Sequence, residues 1–115
     1  MMFKTLALSV VAGSLFIAGS ATAQDTPGEE TFYEMNKAVA AATKCSGVEL
    51  SRDQHNVVQS HIAEAAGEAI GPGKRLTLIR KAKDRIHKLS SVKGCGQAEV
   101  AESLALYESD LAGLL

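Results

Sequence analysis

Residues 100–114 read VAESLALYESDLAGL, and the apolar members Val100, Leu104, Tyr107, Leu111 and Leu114 recur at alternating intervals of four and three. That spacing draws a single seam along an α-helix, suited to packing against neighbouring helices. The same periodicity extends upstream. Leu78, Ile79, Ala82, Ile86 and Leu89 fall on one side of a helix that starts near Pro72 or Lys74 and stops at Gly94. Before it, Val58, Ile62, Ala65 and Ala69 form a stripe behind a capping box at Ser51 and Gln54, and Gly71-Pro72-Gly73 is the expected terminator. The first stripe is Phe32, Met35, Val39 and Ala42. Thr26-Pro27-Gly28-Glu29 supplies its cap, a proline at the first helical position and an acid three residues after the cap, and Ser46-Gly47 breaks it.

Nowhere does the chain alternate apolar and polar residues as a half-buried strand would. Large rings are few, with three Phe, two Tyr and no Trp, so the core must be built from Ala, Val, Leu and Ile. Closely packed helices suit that composition; sheets favour β-branched and aromatic residues. The sequence therefore predicts an all-α fold, a small antiparallel up-down four-helix bundle with short connections. Its two cysteines test the topology. Cys45 ends the first helix and Cys95 opens the fourth, and in such a bundle those ends meet, so one disulfide is expected.

Residues 1–23 have the form of an export signal. Lys4 is the basic start, Leu6–Ala18 the apolar run, and Ala21-Thr22-Ala23 the small-residue cleavage site. The run is shorter than the roughly 20 residues that span a bilayer, and Ser20 stands where a lipid-bearing cysteine would be needed. The expectation is cleavage after Ala23, a single helical domain over 24–115, and a periplasmic or secreted location, where a disulfide persists.

Charge is distributed unevenly. The chain carries a net −1, yet Lys74 to Lys93 alone carries +7. Arg80, Lys81, Arg85 and Lys88 oppose the apolar stripe of the third helix and form the candidate surface for an anion or a partner: an envelope protein, an anionic lipid surface, or neither if Glu29, Glu30, Glu34, Glu99, Glu102, Glu108 and Asp110 balance it within the fold. No aromatics interleave with these cations, which disfavours nucleic acid.

Other chemistry finds little support. Gly71-Pro72-Gly73-Lys74-Arg75 lacks the earlier glycine and the hydroxyl after lysine that a phosphate loop requires. His61, Glu64 and Glu68 on one helix, and Asp84 with His87 on another, make incomplete metal sets, and no Cys-x-x-Cys-His exists for covalent haem. Met35 with a histidine is the one pairing that could hold a noncovalent haem, and its place in an apolar stripe reads as core. No catalytic residue, metal or cofactor is expected. The first functional expectation is a non-catalytic envelope protein acting by protein–protein interaction. The second is an acid- or stress-activated holdase: in size, export and one long-range disulfide the chain resembles small acid-activated periplasmic chaperones, without any shared motif around Cys45 or Cys95. The third is a binder of anionic envelope lipids through the basic third helix. Its narrow, alanine-rich stripes also leave homodimerisation open.

Overall fold

A computed structural model describes residues 25–115. The expected export signal at 1–23 lies outside the described residues. Among them are four α-helices and no strand: α1 (Pro27–Ser46), α2 (Arg52–Ala66), α3 (Pro72–Lys93) and α4 (Ala98–Leu106). The last continues through a π-helical turn (Tyr107–Leu111) and a short 3-10 turn (Ala112–Leu114).

Local chemistry sets most boundaries. The Thr26 hydroxyl accepts from the Glu29 amide while the Glu29 carboxylate accepts from the Thr26 amide, both at 3.1 Å. Ser51 and Gln54 repeat this reciprocal pair at the start of α2. Each box satisfies two amide groups that a helix start leaves without partners. Gly47 takes the left-handed conformation (φ 69°) that closes α1.

Two boundaries differ from the sequence reading. α2 ends at Gly67 (φ 73°), four residues ahead of the expected Gly71-Pro72-Gly73 terminator, and Gly71 is instead the cap residue of α3. The buried α2 stripe is accordingly Val58, Ile62 and Ala66, while Ala65 and Ala69 are exposed. The early stop frees Glu68 to turn back onto the start of α1. Its carboxylate accepts from the Gly28 amide and the Thr26 hydroxyl, both at 2.9 Å, so an acid neutralises the positive end of a neighbouring helix. Glu68, expected on one helix flank with His61 and Glu64, is thus held as a cap. α4 likewise starts at Ala98, capped by Gln97, and not at Cys95.

The fit at Gly28 is close. A β-carbon there would collide with the Glu68 carboxylate and with the backbone oxygen of Ala66, which cannot rotate away. Gly28→Ala should therefore lower stability by about 1–3 kcal/mol, read as a fall in the urea midpoint. An unchanged midpoint would show that the α1–α2 junction is looser than this contact implies.

Packing centres on α1. It touches α2, α3 and α4, with its most extensive contact on α3, whereas α2 makes at most slight contact with α3 or α4. A square bundle would set α1 and α3 on a diagonal; here they are close neighbours. The reason is the α1 surface, where Ala38, Ala41 and Ala42 are fully buried and let other helices approach closely. With three neighbours to face, α1 buries far more than one stripe: Phe32, Met35, Asn36 and Lys37 are covered as well. The larger core cluster joins Phe32, Met35, Ile62, Leu78, Tyr107 and Leu111. A smaller one, Ala41, Ile86 and Val100, lies toward the opposite end. There Cys45 and Cys95 are bonded, with Cα atoms 5.9 Å apart, tying the end of α1 to the α3–α4 turn. In the α4 seam Val100, Tyr107 and Leu111 are buried. Leu114 emerges 36% exposed after the π-turn, whose wider winding rotates the final residues off the seam.

Candidate functional site

The basic residues singled out on α3 are all exposed, and one of them is paired. Arg85 lies beside α4, where its guanidinium forks onto Glu99 through Nη2–Oε1 (2.8 Å) and Nε–Oε2 (3.1 Å). Lys81 and Lys88 are exposed on the outer face. Arg80 is also exposed, but by helical spacing it belongs to the flank carrying Leu76, Lys83 and His87, at intervals of four, three and four. Lys81, Arg85 and Lys88, at intervals of four and three, share one face, and among the described residues Arg85 alone of the four has an acid within ion-pair distance.

Glu99 is the centre of an ionic anchor. It also accepts from the ammonium of Lys37 at 2.6 Å, and Lys37 pairs in turn with Glu34 at 3.2 Å. Lys37 is 5% exposed and lies over the Tyr33 ring, 5.2 Å from its centroid. The hydrogen bond from Arg85, then that from Lys37, pulls the Glu99 carboxyl down to about 2. Burial alone would lower the Lys37 pKa, but its hydrogen bond to Glu99 and the charge of Glu34 prevail and raise it. Burial raises the Tyr33 phenol. Each charge here has a partner, so the cluster fastens α1 to α3 and α4, as a buried ammonium requires. One residue of the basic helix, Arg85, is thus balanced internally, through Glu99.

On the opposite flank of α3 the geometry is open. Because α2 and α3 both lean on α1 without closing on each other, a groove of about 430 Å³ runs between them. Its floor is α1, through Asn36, Val39, Ala40 and Thr43, residues at three- and four-residue spacing. One wall is Leu76, Ile79 and Ile86 of α3; the other is His55 and Gln59 of α2. The lining is mainly apolar, and Leu76 is 57% exposed within it. At one end Gln59 donates to the Asn36 side-chain oxygen (2.8 Å), while the Asn36 amide donates to the Phe32 carbonyl (3.0 Å). Lys44, Lys83, His55 and His87 edge the groove and no carboxylate lines it. Among the described residues no acid lies within ion-pair distance of Lys44 or Lys83.

The remaining candidates are placed as follows. His61 edges a separate shallow cleft beside Glu30, Glu34 and Asp110. Asp84 and Glu64 are exposed, and Met35 is buried in the larger core cluster. Among the described residues no three His, Cys, Asp or Glu side chains converge on one point. Nor is any described helix long and apolar enough to cross a membrane. The disulfide is the kind of bond that persists in an oxidising, exported compartment.

Sequence reasoning missed Lys37 and the groove. Lys37 falls between the stripe positions Met35 and Val39, where a residue ordinarily faces water, and its burial follows from the three helices packed on α1. Comparison with family models, with curated proteins and with solved structures finds no match.

Proposed function

We propose that this chain is an exported, non-catalytic binding protein of the bacterial envelope, processed after Ala23 and folded as a disulfide-clasped helical bundle, that engages its partner in the α1–α2–α3 groove. The observation carrying this reading is the groove itself: an apolar trough with exposed cations along its edge and no carboxylate in its lining. Such a concave apolar lining with a few polar groups is the usual form of a binding site. The disulfide supports export. On this reading Arg80 is placed to assist at the groove, Arg85 is structural, and Lys81 and Lys88 serve solvation.

Photocrosslinking in the cells that make the protein tests this whatever the partner is. A photoreactive residue at Leu76 or Lys83 should yield adducts, protein or small molecule, in the exported fraction. The same residue at Lys81 or Lys88 should yield few. Equal labelling from both faces, or none from the groove, would reject the proposal.

A further inference from the structure

We propose that the groove takes an acidic amphipathic helix of a partner protein, its apolar stripe on the α1 floor and its acids along the α3 lip; this deepens the binding function proposed for the groove and rests on it. α1 is covered by α2, α3 and α4 on three sides, and the groove is the fourth. The floor residues Asn36, Val39, Ala40 and Thr43 have the three- and four-residue spacing of a helix-packing surface, and their side chains are short enough for close approach. A helix laid there would meet α1, α2 and α3 together.

Charge selects the kind of helix. α1 and α3 run in the same direction, since Leu78 shares a core cluster with Phe32 while Ile86 shares one with Ala41. On that register Leu76 and Ile79 form the lower wall, Arg80 flanks the groove near the level of Met35, and Lys83 stands near that of Ala38. Lys44, three residues after Ala41, rises beside the upper wall. At 1.5 Å per residue these three cations are strung over about 14 Å, at intervals near one and two helical turns. All are exposed, and among the described residues none has an acid within ion-pair distance. The one acid of α3, Asp84, is not in the lining, and the α2 lip presents His55 and Gln59.

A ligand with a single anionic head would meet one of the three cations and leave the others unmatched. A helix with acids along one flank meets them all, with its apolar stripe turned a quarter of the way round onto the floor. An extended segment cannot do this, because its residues alternate between opposite faces: with apolar side chains on the floor, its acids would point straight out to water. A helix of about 14 Å, 10–12 Å across, has a volume on the order of 1500 Å³, against about 430 Å³ in the groove. One face is therefore seated and the rest stays in water, so the occupant must be amphipathic. Leu76, the most exposed part of the apolar wall, would be covered by it.

The test titrates the exported, disulfide-bonded chain with a synthetic stapled helix of about five turns, carrying Leu at every third and fourth position and Glu along one flank. Calorimetry and NMR at physiological salt should show one saturable site per chain, with shifts confined to the groove. Arg80→Glu, Lys83→Glu and Lys44→Glu should each weaken binding by about fivefold, as expected for reversing one exposed ion pair. Leu76→Asp should weaken it at least as much, while Lys81→Glu and Lys88→Glu, on the outer face, leave it within about twofold. The same helix with Gln in place of Glu should bind at least about tenfold more weakly. Circular dichroism of every variant confirms folding, and since Leu76, Lys44, Arg80 and Lys83 are exposed their replacement leaves the core intact. No saturable binding, equal affinity for the Gln helix, equal loss in the outer-face variants, or phosphatidylglycerol vesicles shifting the same groove resonances would each overturn the assignment. In cells, adducts from a photoreactive residue at Lys83 should map to an acidic helical segment. Adducts with lipid, or with segments lacking acids, would overturn the occupant alone and leave the binding reading standing, whereas no groove adducts would reject both.

Discussion

Replacing both cysteines, Cys45→Ala with Cys95→Ala, should lower the free energy of unfolding by about 4 kcal/mol, the chain-entropy value for a closed loop of this length. Small domains have a net stability of roughly 5–15 kcal/mol, so the variant should unfold at a much lower urea concentration. The loss should also be local in character. At the clasped end the buried cluster is only Ala41, Ile86 and Val100, with Cys45, Leu89 and Leu104 around it. The larger aromatic and leucine cluster lies toward the other end. Amide exchange should therefore accelerate first in the C-terminal turns of α1 and α3 and the start of α4. Urea denaturation with and without reductant measures the energy, and hydrogen exchange locates it. A midpoint unchanged by reduction would mean that helix packing alone fixes this end.

Glu99→Gln should be the second large effect, a loss of about 2–3 kcal/mol at neutral pH, as expected when a buried cation loses a charged hydrogen-bond partner. Lys37 keeps Glu34 at 3.2 Å, which limits the damage, whereas Arg85 is solvated and can turn to water. Adding Lys37→Met should recover part of the loss, because a flexible apolar chain of similar length then replaces an under-paired ammonium. The wild-type anchor also has a definite pH signature. The Glu99 carboxyl is held at about 2 in the fold against 4.5 for an unpaired one, so the unfolded chain binds more protons in that interval. Its stabilisation is complete above about pH 4.5 and is lost as the pH falls toward 2. Lys37, raised above 10.5, adds stability that is present below that value and disappears at more alkaline pH. Urea midpoints at pH 7 and pH 3 should differ less in Glu99→Gln than in the wild type. An identical drop in both proteins would place the acid sensitivity elsewhere.

Helix number, capping and the disulfide were legible in the sequence because each has a local cause. Thr26 with Glu29 and Ser51 with Gln54 are reciprocal caps defined by a three-residue spacing, and both form as written. Gly67 was overlooked because Gly71-Pro72-Gly73 is the stronger breaker by composition, yet a single left-handed glycine suffices to end a helix. Lateral arrangement was less accessible. Periodicity tells which residues of α1 are apolar, but not that Ala38, Ala41 and Ala42 would admit three neighbours at once. The groove follows from that centring, since helices gathered around one shared partner need not touch each other. The basic run of α3 was visible as composition. That Arg85 meets Glu99 depends on where α4 sits, which no single helix encodes.

The most direct test of the account is the intact mass of the protein taken from the cells that make it, alkylated without reduction. A clasped binding domain working outside the cytoplasm should appear as the chain from Gln24 to Leu115, two hydrogens lighter than the reduced form and carrying no alkyl groups. A chain beginning at Met1 with both Cys45 and Cys95 alkylated would contradict it.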